Sequence, residues 1–533
     1  MSIVDYITYS IVIAAVLALV VTIYSYSKAL KKSPRDLWFL FIYNIVEYSA
    51  YGAINMALVL WLSSDCGLGD IAAGSYIAGW SMLLSVMNMV AGAFLDTIGI
   101  RKTLIISVIF LIISRFFMAF VTNPVLVFIL GFMPLTVGFA IVGPLVSVAI
   151  KRYTTKETTA LGFGLFYTLM NIGYAIGGTF FDWVRDAYSL KDAAGKVINE
   201  NAGASLFGFH FSTYQMFFVY GLGATMVSLL IAALIREGVE LDADGEVRIN
   251  PPQPHGSVFA ATKNTAVATW NTIYNAVTEK YFWIFIGLLS LTVPVRTVFF
   301  HFHYTFPKYC IRVLGEGAKI GSIYGVLNPV LIVLLVPAVS YFFKKVSSYK
   351  MMIYGATISS LSCFIALLPA SHFSGWTNSA LGEIIFVKWL RMAPDMATLM
   401  QTPPPAEYWP LIVFICVFTV GEAVWSPRLM QFTAEIAPKG KEGTYIALSV
   451  LPWFASKFLV GPMSGLLLQA YTPLDPVTKK AMVSYPDHWM VWLWIGGLAV
   501  LSPIGLLALR KWFHFHTAVE PEQDEIPDEQ ESI

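Results

Sequence analysis

The sequence predicts an all-α integral membrane protein, and three observations carry that prediction. Of its 533 residues, 57% are hydrophobic and only 13% are charged, whereas an ordinary soluble protein is nearer a quarter charged. The mean hydropathy of +0.67 is more than one water-soluble core can hide, because a globule of this size still covers a large surface with polar groups. Apolar runs of the roughly 20 residues that cross a bilayer recur along the chain, and Lys and Arg alternate between rich and poor connecting loops. These features exclude a cytosolic enzyme, a disordered chain and a disulfide scaffold. With 34 Lys+Arg against 33 Asp+Glu, net +1, no basic surplus asks for nucleic acid.

The first apolar run, Ile3–Ser25, has Asp5 ahead of it and Lys28, Lys31 and Lys32 behind it. It lacks the basic start of a signal peptide, so it reads as a retained helix with its N-terminus outside. Six runs follow, beginning near Leu37, Ala72, Thr103, Val125, Ala160 and Tyr214, and six more begin near Tyr281, Ile320, Met351, Trp409, Thr444 and Met490. The total is about thirteen spans, one plus twelve. The positive-inside rule tests this count: one set of alternate loops holds about 20 Lys and Arg and the other about 10. The richer set, which includes Arg35, Arg101, Lys151, Arg236, Lys344 and Arg510, is therefore cytoplasmic, with the C-terminus inside.

The expected organisation is an extra helix over 1–27, a first six-helix unit over 36–236, a linker over 237–280, a second unit over 281–511 and an acidic tail over 512–533. The outer loop 371–408 contains Ile384–Arg391, expected as an interfacial helix. The tail holds seven acids from Glu520 to Glu531 and no cation after Thr517, the composition of a solvated segment. The four cysteines form no CxxC pair, which points to neither a zinc site nor a redox pair. His301 and His303, and likewise His514 and His516, are two apart and diverge on a helix, so no metal is expected. No nucleophile–base set or phosphate loop is recognisable.

Gly92-Ala93-Phe94-Leu95-Asp96-Thr97-Ile98-Gly99-Ile100-Arg101-Lys102 resembles the GxxxDxxGxRK loop of the major facilitator superfamily. Asp96 and Arg101 can latch across a Gly99 turn, with Gly92 allowing close helix approach; these three residues form the candidate gate. Phe166-Tyr167-Thr168-Leu169-Met170-Asn171-Ile172-Gly173 resembles FYxxINxG of the proton-dependent oligopeptide transporters, and Gly421-Glu422-Ala423-Val424-Trp425-Ser426-Pro427 resembles their GExxxSP segment. The resemblance implies the major facilitator fold, two six-helix bundles to which this chain adds its first helix. It also implies secondary active transport by alternating access, driven by a proton gradient without a cofactor. The family's first-helix ExxERFxYYG appears here as Tyr43-Asn44-Ile45-Val46-Glu47-Tyr48-Ser49-Ala50-Tyr51-Gly52, and its fourth-helix Lys-Pro as Gly143-Pro144. The family's proton and peptide-carboxylate groups are therefore replaced, which implies a divergent relative with another substrate.

A charge at mid-bilayer costs roughly 2.5 kcal/mol or more, so each one faces a partner or a wet cavity. Glu47, Asn171, Glu422 and Lys457 fall near helix middles, the depth at which transporters bind solutes. Arg296 lies slightly outward, while Arg115 and Arg428 are placed to snorkel. Glu422 and Lys457 are expected as neighbours. Glu47 has no cation near it in sequence and, with Glu422, is the candidate proton carrier. Tyr43, Glu47 and Tyr51 share a helix face, and Tyr167, Trp425 and Trp453 lie close to the other charged positions. The expected solute is small, polar and amine-bearing or zwitterionic, in a multi-pass cell-membrane protein. An exporter of drugs or metabolites and a non-transporting receptor stay open as alternatives, as does a partner for the first helix or the tail.

Overall fold

In a computed structural model the described residues are 3–90, 98–193, 195–242, 246–250, nine positions between 263 and 279, 280–436, 449, 451–478 and 480–510. Helix α1 spans Ile3–Ala29. It is followed by α2 (Arg35–Ser64), α3 (Asp70–Val90), α4 (Ile100–Phe120), α5 (Pro124–Arg152), α6 (Thr159–Tyr188) and α7 (Thr213–Leu234). The second half holds α8 (Lys280–Ser290), α9 (Val293–Tyr304), α10 (Phe306–Leu314), α11 (Gly321–Phe342), α12 (Ser348–Leu367), α13 (Tyr408–Ile436), α14 (Leu451–Tyr471) and α15 (Met490–Ala508).

Among the described residues, ten helices are long and apolar enough to cross a membrane, or eleven if α8 and α9, bent by 50° at their break, are one span. That is fewer than the thirteen expected. The other two segments form α3 and α14, of 21 residues each. They face each other across the two halves, with Lys457 of α14 reaching Ser85 of α3 at 3.1 Å.

One face of the molecule carries the connections that the sequence reading left as loops. Three two-stranded hairpins occur, two of them here: β1 (Leu190–Lys191) with β2 (Val197–Asn199), and β3 (Ala204–Leu206) with β4 (Phe209–Phe211). Phe207 and Gly208, at φ 54° and 82°, make the tight turn between β3 and β4, because paired positive φ values match the strand twist. On the same face, Ile385, Phe386 and Val387 of the 371–408 loop are buried. The expected helix forms over Glu383–Trp389, and the Phe386 ring stands 5.3 Å from that of Trp409, so the helix packs on the protein as a plug. Lys388 in this plug binds Asp5 of α1 at 2.7 Å. We call this the looped face. The opposite, basic face carries Arg35, Lys151, Arg152 and Arg236. There the third hairpin, β5 (Val239–Leu241) with β6 (Val247–Ile249), opens the linker and brings Glu240 to 3.7 Å from Arg152. The acidic tail and most of the linker lie outside the described residues.

The apolar cores define where the halves join. Toward the looped face one continuous cluster takes Trp61, Ala73 and Phe181 from the first half and Phe302, Tyr324 and Phe414 from the second. Toward the basic face the clusters separate, one built on Leu40, Leu104 and Ile150, the other on Phe285, Met352 and Leu429. The joined region has two glycine-lined seams. At one, Gly178 of α6 lies so close to α11 that an added Cβ would fall 2.6 Å from the Gly325 carbonyl carbon and 2.7 Å from the Gly321 oxygen. At the other, a Cβ on Gly74 of α3 would overlap the backbone of Gly461 in α14. Such close approach is what small residues permit in membrane helices.

A branched side chain at Gly178 therefore keeps the looped face from closing, while each half retains its own core. We expect Gly178→Val to expose a cysteine at Tyr324→Cys, beneath this face, to a membrane-impermeant thiol reagent at least tenfold faster than in the Gly178 background. Equal labelling rates would show that the seam does not close this face.

Candidate functional site

The looped face is held shut by carboxylates of the first half. Asp70, at the start of α3, accepts from Lys308 at 3.0 Å and from Arg312 at 2.8 and 2.9 Å. Asp182 of α6 accepts the backbone N–H groups of Gly321 and Ser322 at 2.8 and 2.7 Å, where the first turn of α11 has no partners of its own. Arg185 donates to the Ala318 carbonyl at 2.6 Å and also pairs with Glu200. Burial pushes the Lys308 ammonium down to about 8 and raises the Glu316 carboxyl. On the basic face Asp36 pairs with Arg236 at 2.7 Å, within the first half.

Beneath the closed face lies a cavity of about 220 Å³ between the halves. The first half supplies Tyr167, Asn171 and Tyr174 from α6, and Gly52 and Met56 from α2. The second supplies Arg296 and His303 from α9, Tyr324 and Asn328 from α11, and Glu422 from α13. The Asn328 amide donates to Glu422 Oε2 at 2.9 Å. The Arg296 guanidinium lies over the rings of Phe299 and Trp425, at 5.6 and 5.7 Å. Stacking restrains a flexible cation without neutralising it. His303 spans the junction, with Nδ1 2.9 Å from Asn55 Nδ2 and Nε2 3.2 Å from the Tyr324 hydroxyl. The cavity thus presents one cation and one carboxylate from the second half, facing a tyrosine and amide wall from the first.

Four of the expected binding residues, Tyr167, Asn171, Arg296 and Glu422, line this cavity, and Trp425 backs Arg296. Others are placed elsewhere. Glu47 is 3% exposed and pairs inside the first half with Arg115, at 2.9 and 3.4 Å. Arg115 also donates to the Gly221 carbonyl at 3.1 Å and to the Thr225 hydroxyl. The expectation that Glu47 lacks a cation and that Arg115 snorkels is therefore corrected. Gly221 packs closely on α2, where an added Cβ would fall 2.7 Å from Ile54 Cδ1, and its carbonyl is within reach of the guanidinium. Tyr43 is buried in the same bundle core, and Tyr51 sits behind the cavity wall, its ring 6.1 Å from that of Tyr174. The expected Glu422–Lys457 neighbourhood is also corrected: Lys457 turns to Ser85 across the seam, while Glu422 turns to Asn328. The Trp453 side chain, Gly92 and Asp96 lie outside the described residues. Arg101 is described, just after Gly99 at φ 90°, a turn that favours glycine.

Sequence reasoning missed His303, Asn328 and Tyr324. It also missed the Glu47–Arg115 pair, although α4 carries a signal for it. Ser107, Ser114 and Arg115 recur at helical spacing on the face that is buried, and small polar residues mark packed faces in membrane helices.

A sequence profile of the Major Facilitator Superfamily matches residues 40–450. No curated protein matches the sequence. Among solved structures, a POT family transporter in complex with 5-aminolevulinic acid superposes with a TM-score of 0.62 at 14% identity, over 90% of this chain and 96% of the other. A POT family transporter with a thioalcohol-conjugated peptide gives 0.61 at 15%, over 91% and 99%. A bacterial homologue of the human drug peptide transporters PepT1 and PepT2 gives 0.61 at 14%, over 91% and 99%. At these identities the likeness is one of fold.

Removing one member of the buried pair leaves the other charge uncompensated, at a cost of about 3–5 kcal/mol. We expect Arg115→Met to lower thermal stability in detergent sharply, and Glu47→Gln combined with Arg115→Met to recover much of the loss. Arg428→Met, which removes an exposed cation, serves as the near-neutral control. A double variant no more stable than Arg115→Met would contradict a mutually dependent pair.

Proposed function

Since this chain belongs to the Major Facilitator Superfamily, we propose that it is a proton-coupled symporter of a small zwitterionic solute, peptide- or amino-acid-like, in a cell membrane. The observation that carries this reading is the cavity between the halves, which sets Arg296 and Glu422 opposite Tyr167 and Asn171. Arg296 takes the solute's carboxylate through charge-assisted hydrogen bonds. Glu422 takes a proton from cavity water and holds it beside the solute's amine, so that solute and proton cross together. The Asn328 amide holds the Glu422 carboxylate in place for both. Glu47 has no part in this cycle and braces the first half through Arg115.

The loop cations support a cytoplasmic basic face, with the N-terminus of α1 outside. The arrangement is then closed outward, with the halves parting inward. Opening outward requires Asp70 to leave Lys308 and Arg312, and Asp182 to leave the first turn of α11. A solute shifts this balance only by binding one state better than the other. The fold relative crystallised with 5-aminolevulinic acid, a ligand carrying an amine and a carboxylate, supports the solute class.

Uptake into proteoliposomes tests the reading. An inward proton gradient should drive accumulation of a short ω-amino acid. Arg296→Ala should weaken apparent affinity roughly ten- to a hundredfold, the equivalent of about 1.5–3 kcal/mol for a charged hydrogen bond. Glu422→Gln should abolish gradient-driven accumulation while sparing solute exchange. Accumulation that survives in Glu422→Gln would overturn the proton role, and indifference to Arg296→Ala would overturn the binding role.

A further inference from the structure

A second cavity lies beside the first. It has a volume of about 310 Å³ and lies between α6 of the first half and α11 of the second, under α1. Its walls are aliphatic, with Val16 and Leu19 from α1, Ile172 and Ile176 from α6, and Val330 and Val333 from α11; Asn171 and Thr179 are its polar residues. Asn171 and Pro329 line this groove and the central cavity alike. A polar chamber with a cation and a carboxylate thus adjoins, across one amide and one proline, an apolar groove at the bilayer's depth.

Helix α1 makes this groove a built feature of the chain. Near its C-terminal end it belongs to the first half: Leu30 is buried in that half's core, and the Tyr26 hydroxyl lies against Gly164 of α6, where an added Cβ would fall 3.1 Å away. At its N-terminal end it is tied to the second half, through Asp5 and Lys388 of the plug. Between these anchors it crosses the line where α6 meets α11. There Ala15, a small residue, faces the groove and leaves it unfilled.

We propose that the substrate is a single-chain zwitterionic amphiphile, its charged head held in the central cavity and its alkyl tail lying in the groove roofed by α1. This deepens the reading of the central cavity and rests on it. A head with an amine and an acid matches Glu422 and Arg296. A tail leaving the head at Asn171 enters a channel in which each buried methylene adds favourable transfer free energy. A small polar solute would leave that groove empty. An amphiphile occupies both chambers, and α1 excludes lipid from the tail's place.

Straight-chain 2-aminoalkanoic acids of four to twelve carbons keep one head and lengthen one tail. Their binding to the full-length protein in nanodiscs should tighten about fourfold per methylene until the groove is full, then level off. Ala175→Trp and Ala15→Trp fill the groove from α6 and from α1. Each should bind the four-carbon member as the unsubstituted protein does and lose most of the gain with length. Thermal stability confirms that at least one of the two variants is folded. A flat series in the unsubstituted protein would overturn the proposal, as would an identical gain in both filled variants, which would mean partition into lipid alone. In either case the central-site reading stands if the four-carbon member binds and Arg296→Ala weakens it. If the four-carbon member does not bind, or ignores Arg296→Ala, the central-site reading fails and this one falls with it.

Discussion

The arrangement depends on carboxylates of one half being held by cations and backbone amides of the other. Asp70 sits between Lys308 and Arg312, and Asp182 takes the first free amides of α11. Buried ion pairs contribute little net stability, because desolvation cancels most of their attraction. Here that near-cancellation matters more than strength. Parting the halves returns these charges to water, so the closed and open arrangements stay close in free energy. The glycines at Gly178 and Gly74 bring the backbones near enough for these ties to form, and the single core cluster on this face follows from that contact. The central cavity then lies where the joined region ends.

The two halves contribute different chemistry. Beside the cavity the first half pairs its charges internally, Glu47 with Arg115 within the bundle, and tyrosine and amide groups face the cavity. The second directs Arg296 and Glu422 inward, restrained by Trp425 and Asn328. A neutral wall thus stands opposite a charged one across the cavity. Helix α1 lies against both halves beside the groove, so relative movement of α6 and α11 changes what α1 covers.

Much of this was legible in the sequence, and what was not shares one cause. Hydropathy and loop charge located the helices, because both depend only on depth in the bilayer. The same depth argument brought Tyr167, Asn171, Arg296 and Glu422 to the cavity. Helix rotation is not written in depth. The direction of Arg115 depends on partners such as the Gly221 carbonyl, which lies 106 positions away in the chain. Lys457 and Glu422 share a level but turn to opposite sides, one to α3 and one to α11. The hairpins of the looped face were unreadable for a different reason. Their strands are two or three residues long, too short for an alternating pattern to register.

The central claim is that this looped face and the basic face open in turn around the cavity. Distances between paired spin labels in proteoliposomes test it most directly. One pair sits at Phe207 and Val477 on the looped face, both strongly exposed, and another at Lys151 and Lys344 on the basic face. Three of the four native cysteines are buried and the fourth is partly buried, so introduced cysteines can be labelled selectively. Adding a zwitterionic solute under an inward proton gradient should lengthen the looped-face distance and shorten the basic-face distance in the same population of molecules. A single, unchanging distance at both faces would contradict the account.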